Sequence, residues 1–248
     1  LRYFFEIAYN GKNYNGWQSQ HNATGIQTVV EEAMCTLLQE KIKIIGSGRT
    51  DTGVHCEQQF FHVDIQQPIQ YELLMIRLNT YLPGGISINS IQQVHEYASA
   101  RHDAIERSYR YHITRKKNPF LEGYAWHYFK LVDAQTMNEA AALLLGEHDF
   151  QCFSKVNTDV NHFICDIKSA FWEDNGDMLF FNITGNRFLR GMVRAIVGTL
   201  LDVGTGKITM EEVKSIIDSK DRKKAGANVP PYGLYLRNVI YPSTIFIK

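Results

Sequence analysis

The chain has no surplus of charge: its 248 residues carry 26 Lys and Arg against 26 Asp and Glu. That balance excludes a protein that gathers nucleic acid by bulk charge. A phosphate partner would have to be held by a local patch, or by one built across an oligomer. No apolar stretch approaches the roughly 20 residues that a membrane-spanning helix needs, so no membrane partner is expected. The opening residues, Leu1-Arg2-Tyr3-Phe4-Phe5-Glu6, lack the basic, apolar, then small-residue order of a secretion signal. The 4 cysteines include no CxxC pair, and without a signal they are expected to be free thiols in the cytoplasm. Low-complexity segments and short repeats are also missing. What remains is ordinary globular composition, 44% hydrophobic and 21% charged. The length allows one large domain or two modest ones, with a core that needs no disulfide or metal staple.

One pattern has the residue types of a zinc site: His148-x3-Cys152 followed by His162-x2-Cys165. Cys152 lies between Phe150 and Phe153, however, and His162 and Cys165 open an apolar, strand-like run. Two buried thiols and two surface histidines account for the pattern equally well, and no metal is expected.

Periodicity predicts strands over 2–9, 56–65, 86–95 and 108–114, and short ones at 42–46 and 125–129. Residues 163–172 and 178–184 read as a hairpin across Asp174-Asn175-Gly176-Asp177. Helices are predicted over 24–39, 71–81, 134–145, 188–203 and 209–219, the last with Thr209 as N-cap and Glu212 three residues on. A final strand covers 234–241. The reading is an α+β chain of two halves, 1–105 and 106–248.

Three segments suggest chemistry. In Gly46-Ser47-Gly48-Arg49-Thr50-Asp51-Thr52-Gly53-Val54-His55, small residues surround one Arg and one Asp. Arg49 and Asp51 fall on one face of an extended backbone, and a carboxylate beside a guanidinium stays ionised, as a nucleophile or general base requires. A plain turn, with Asp51 bonding its own backbone, fits the same residues. Asp51-Thr52-Gly53 also matches the short signature of aspartic proteases, but those need two carboxylates sharing a proton. This chain has one copy, and Arg49 would oppose the sharing. Second, Arg187, Arg190 and Arg194 are spaced to lie on one face of the helix predicted from 188, near its N-terminal end, where the dipole disfavours cations. An anionic partner explains that placement; surface salt bridges are the plainer reading. Third, Arg107-Ser108-Tyr109-Arg110-Tyr111 alternates arginine with aromatics, which suits base stacking beside phosphate contacts and is also ordinary in a half-buried strand. With Arg101, these arginines (107, 110, 187 and 190) form a candidate patch for phosphate contacts.

These blocks, in order, resemble the TruA family of tRNA pseudouridine synthases nearly end to end. The resemblance runs through Tyr9-Asn10-Gly11, Tyr14-x-Gly16-Trp17-Gln18-x-Gln20, Gln27, Gly48-Arg49-Thr50-Asp51-x-Gly53-Val54-His55 and Asn79-x-x-Leu82-Pro83. It continues through Ala100-Arg101-x-x-Ala104-x-x-Arg107-x-Tyr109-x-Tyr111, Gly146-Glu147-His148-Asp149-Phe150, Phe188-Leu189-x-x-Met192-Val193-Arg194 and Gly233-Leu234-Tyr235-Leu236. It implies a pseudouridine synthase fold, two ferredoxin-like α/β halves with antiparallel or mixed sheets around a central active-site cleft, acting as one catalytic unit. It further implies a cofactor-free, metal-free homodimer that isomerises uridines in the anticodon arm of tRNA. On this resemblance Asp51 is the catalytic aspartate and Arg49 helps displace the target base. Tyr109 packs on that base, Arg194 pairs with the carboxylate, and Leu234 forms an apolar wall. Whether Asp51 attacks the sugar, adds to the uracil ring or takes a sugar proton stays open. The chain departs from the family pattern at Ala98, Ser99, His102 and Asp103, and at Cys165, where many members carry arginine. A non-catalytic RNA-binding module or chaperone of the same fold would keep Arg101, Tyr109 and Arg110 but could dispense with Asp51.

Overall fold

The aromatic-rich start of the chain forms strand β1 (Arg2–Tyr9), in which Tyr3, Phe4, Phe5, Ile7 and Tyr9 are buried. This computed structural model describes residues 1–20, 23–155 and 160–247. Two units divide the chain, one of Leu1–Glu106 with Leu236–Lys248, the other Arg107–Tyr235.

In the first unit, helix α1 (Ile26–Leu38) follows β1, then β2 (Ile45–Gly46), β3 (His55–Asp64), α2 (Tyr71–Tyr81) and β4 (Ile86–Val94). β1 pairs antiparallel with β3 on one side and β4 on the other. Over Tyr3–Phe5 consecutive residues of β1 are buried, so both faces of the strand are covered there and the run is apolar without a break. Phe5 opposes Phe61 in that register and stacks on it, ring centroids 5.0 Å apart. Helix α1 buries Ile26, Val30, Ala33 and Met34, a single stripe at helical spacing. α2 packs on β4 and touches α1.

The second unit contains β5 (Glu106–Thr114, from Arg107 on), β6 (Trp126–His127), α3 (Ala134–Ala142), β7 (Gly146–Asp149), β8 (Ile164–Asn175), β9 (Met178–Gly185), α4 (Met192–Gly204) and α5 (Met210–Ser219). Its strands run β5-β9-β8-β7, all antiparallel, with β6 parallel to β5. β8 and β9 form the expected hairpin, closing Asn175 on Met178 around Gly176-Asp177. α3 packs on β8 and α4. α5 starts with the expected capping box, Thr209 Oγ1 accepting from the Glu212 N–H and Glu212 accepting from the Thr209 N–H. Strand β10 (Leu234–Ile240) leads out of this unit. Its residues 236–240 lie beside β3 in the first unit, where the Val239 N–H donates to Gln58 Oε1 at 3.0 Å. The fold is thus mixed α/β with mainly antiparallel strands.

One expected element starts elsewhere. The apolar spacing of Phe188, Leu189 and Met192 predicts a helix from 188, but α4 begins at Met192. Gly191 is its N-cap in a left-handed conformation, φ 75°, and the Arg190 carbonyl is taken by the Lys155 N–H at 2.9 Å. Arg187 and Arg190 therefore precede the helix. The single helical face of three arginines does not form, and the dipole argument applies to Arg194 alone.

Candidate active site

Asp51 sits in the loop between β2 and β3, and a second loop, just after β1, holds it there. The Thr50 carbonyl accepts from the Trp17 N–H at 3.3 Å, the Tyr14 carbonyl accepts from the Gly53 N–H at 3.2 Å, and the Asp51 carbonyl accepts from the Val54 N–H at 3.1 Å. Gly11 and Gly16 let the two loops approach: a Cβ at either would lie 2.0 Å from the Val54 oxygen or 2.3 Å from the Thr50 oxygen, and Gly16 has φ +78°. His55 Nδ1 accepts from the Gly11 N–H at 3.2 Å. Burial alternates along the Asp51 loop, with Arg49 exposed, Thr50 buried and Asp51 half-buried. Arg49 and Asp51 thus lie on either side of an inward-facing threonine, as an extended segment dictates.

The loop after β1 is anchored in turn. Trp17 is buried and lies against Gly46, so close that a Cβ there would be 2.5 Å from the indole. Gln27, on the first turn of α1, accepts from Gln18 Nε2 at 3.0 Å and from the Ser19 N–H at 3.2 Å. Its own amide donates to Glu31 Oε1 at 3.1 Å and to the Ile44 carbonyl at 3.2 Å. From sequence, Tyr9 to Trp17 reads only as a turn-rich loop. Its role as a clamp on Asp51 depends on partners some forty residues away. The available signal is the interleaving of Gly11 and Gly16 with Tyr9, Tyr14 and Trp17, since glycines among fixed aromatics mark close backbone approach.

In the second unit, β5 displays Tyr109 and Tyr111 on one face. Tyr109 meets Phe188 edge to face, centroids 5.1 Å apart, and the buried Tyr111 donates its hydroxyl to the Pro230 carbonyl at 2.8 Å. Arg107 donates to the Asn186 carbonyl at 2.7 Å, so Arg107 and Tyr109 both engage the segment leading into α4. Arg194, in the first turn of α4, donates from Nε to the Val229 carbonyl at 2.7 Å, which fixes the guanidinium's direction. Leu234 is buried. On the opposite face of β5, Arg110 pairs with Glu173 and lies 4.1 Å from the Phe180 ring centroid. Arg187 donates to His162 Nε2 at 3.0 Å. Arg101 and Arg190 are exposed.

The departures from the family pattern have local explanations. Asp103 accepts from the Ser99 N–H at 2.7 Å and Ser99 Oγ accepts from the His102 N–H at 3.3 Å, closing the turn that carries Arg101. Cys165 is buried opposite His148 in the β7–β8 pair. Burial pushes its thiol up to about 11, and that of Cys152 up to about 12. All four cysteines are free thiols. His148 Nε2 lies 2.8 Å from the Leu145 carbonyl. Among the described residues, no three His, Cys, Asp or Glu side chains are grouped to hold a metal.

A loop that presents one carboxylate beside an arginine, on a mixed α/β scaffold, defines a class when set against known proteins. The family model described as tRNA pseudouridine synthase matches residues 7–101 and 140–242. The chain belongs to that family. It is 45% identical to the tRNA pseudouridine synthase A of Porphyromonas gingivalis, over 99% of each chain. It is 44% identical to that of Parabacteroides distasonis, covering 99% of this chain and 98% of that one. To that of Bacillus subtilis it is 40% identical, covering 95% and 97%. A chain of a structure titled "Crystal Structure of a Cbf5-Nop10-Gar1 Complex" aligns with TM-score 0.33 and 11% identity, over 80% of this chain and 54% of that one, a likeness too slight to build on.

Proposed function

We propose that this chain isomerises uridine to pseudouridine in the anticodon arm of tRNA, with Asp51 as the catalytic carboxylate. The observation that carries this reading is the clamped loop: two backbone segments fix Asp51 beside the exposed Arg49, in a chain 45% identical to a tRNA pseudouridine synthase A. The reaction breaks the N1–C1′ bond, turns the uracil and joins C5 to C1′. The proton lost from C5 balances the one gained at N1, so no cofactor is consumed. The target base has to leave the stack, which costs a few kcal/mol.

Position by position, the resemblance assigns Arg49 to displace the base, Tyr109 to pack on it, Arg194 to counter the carboxylate's charge, and Leu234 to provide an apolar wall. The fixed guanidinium of Arg194 and the edge-to-face support of Tyr109 favour those roles, since groups whose positions are set in advance lose little freedom on binding. Halves 1–105 and 106–248 act in this reading as one catalytic unit. Arg101, Arg107, Arg187 and Arg190 supply phosphate contacts, with Arg110 contributing charge offset by Glu173. Because net charge is zero, a homodimer pooling two such patches would serve tRNA better than one chain. The free thiols suit a cytoplasmic protein.

Pseudouridine mapping of unmodified tRNA transcripts, wild type beside Asp51→Asn, tests the proposal. Modification in the anticodon arm by wild type alone is expected. Binding by both proteins with modification by neither would favour a non-catalytic RNA-binding role.

A further inference from the structure

Thr50, the buried neighbour of Asp51, is held by a side chain of β1 that is itself held from β3. Tyr9, at the end of β1, places its hydroxyl 2.8 Å from Thr50 Oγ1. Gln59, in β3, donates from Nε2 to the Tyr9 hydroxyl at 3.2 Å, and its Oε1 accepts from Ser47 Oγ at 3.3 Å. Ser47 is itself fixed by its N–H, which donates to the Phe60 carbonyl at 2.7 Å. All four side chains are buried, Gln59 at 0%, Ser47 at 2%, Tyr9 at 4% and Thr50 at 9% relative exposure.

The connection has a particular shape. Ser47 and Thr50 bracket Gly48-Arg49 in the loop, and Gln59 and Tyr9 join them through the sheet. The chain Ser47–Gln59–Tyr9–Thr50 thus closes a ring across the base of the segment that presents Arg49 and, one residue past Thr50, Asp51. Stability alone does not call for this. Valine at 50, phenylalanine at 9 and leucine at 59 would fill similar space without buried polar groups to satisfy, and replacing both partners of a buried bond by apolar groups is often nearly neutral. Hydrogen bonds add direction and a fixed length, which apolar contacts do not.

We propose that Ser47, Gln59, Tyr9 and Thr50 are positioning residues for the isomerisation, acting through the backbone on the direction in which Arg49 and Asp51 leave the loop. The inference rests on the reading of Asp51 as the catalytic carboxylate. A reacting group misplaced by about 1 Å can lose about 100-fold in rate, so losing one bond of the ring should weaken the chemical step while leaving tRNA binding in place.

The test is single-turnover pseudouridine formation on saturating unmodified tRNA transcript, with tRNA Kd and Tm measured on the same proteins. Tyr9→Phe and Thr50→Val are expected to lower the rate constant about 10- to 100-fold, with Kd within about twofold of wild type. Thr50→Ser, which keeps the hydroxyl, should return the rate to within about threefold. The double variant Tyr9→Phe/Thr50→Val should be no slower than Tyr9→Phe, which already breaks the Tyr9–Thr50 bond along with the Gln59–Tyr9 bond. Wild-type rates in both single variants, failure of Thr50→Ser to restore the rate, or losses that multiply in the double variant would each overturn the proposal. If Thr50→Val does not fold, Tyr9→Phe, which deletes one oxygen, carries the test alone. Asp51→Asn runs in parallel: activity retained there would sink the reading of Asp51, whereas its loss alongside fully active Tyr9→Phe and Thr50→Val would sink only the positioning ring.

Discussion

Replacing Gly16 by alanine puts a methyl carbon 2.3 Å from the Thr50 carbonyl oxygen and 3.0 Å from the Asp51 carbonyl carbon. Ordinary contacts of such a carbon begin near 3.4 Å, so one loop or the other has to retreat by about 1 Å. The backbone at Gly16 is also left-handed, φ +78°, which costs a residue with a Cβ about 1–2 kcal/mol. At about 2–4 °C per kcal/mol for a chain of this size, Tm should fall by about 5 °C. The larger consequence is kinetic. The retreat falls on the two peptide groups that orient Asp51, and a shift of about 1 Å corresponds to a rate loss of about 100-fold. The assay is single-turnover pseudouridine formation at saturating tRNA, well below the lowered Tm. A Gly16→Ala protein that keeps its rate within about twofold of wild type would show that the loop after β1 does not set the position of Asp51.

Acid should destabilise the fold through His62. Burial, then the nearby Arg2 charge, pushes this imidazole down from 6.5 to about 4, and its Nδ1 accepts from the Ala100 N–H at 3.1 Å. The unfolded chain then binds the extra proton between about pH 6.5 and 4, so stability falls as pH drops through that window. Its contribution at pH 5 is about 2 kcal/mol relative to pH 7, read from urea midpoints; a wild-type midpoint as flat as that of His62→Gln between those values would refute it. Thr209→Ala removes the capping box of α5 and should cost about 1 kcal/mol, seen as a Tm lower by about 2–4 °C with activity unchanged. Binding of tRNA should weaken steeply with added salt as phosphate-bound cations are released; a Kd flat between about 50 and 200 mM salt would contradict phosphate recognition by the arginine patch.

Local patterns foretold the elements whose partners lie nearby in sequence. Helix α2 occupies the expected 71–81, the β8–β9 hairpin closes at Gly176-Asp177, and Thr209 and Glu212 cap α5 as expected. Each is decided by a few neighbouring residues. The start of α4 was not legible, because Phe188 and Leu189 keep helical spacing while the left-handed Gly191 and the Arg190–Lys155 backbone bond hold 186–191 out of the helix. Long-range pairing is silent in sequence too: nothing local says that 236–240 lie beside β3. The site divides in the same way. Arg49-Thr50-Asp51 stands out by composition, but the bond between Tyr9 and Thr50 joins residues 41 positions apart and is seen only once the sheet has formed.

The central claim is that the Asp51 carboxylate carries out the isomerisation. It is tested most directly by following tritium from C5 of labelled uridine in tRNA, since that hydrogen must leave once C5 has become the point of attachment. Wild type should release tritium in step with pseudouridine formed, and Asp51→Asn should release none while binding the same tRNA. Release at the wild-type rate by Asp51→Asn would contradict the account.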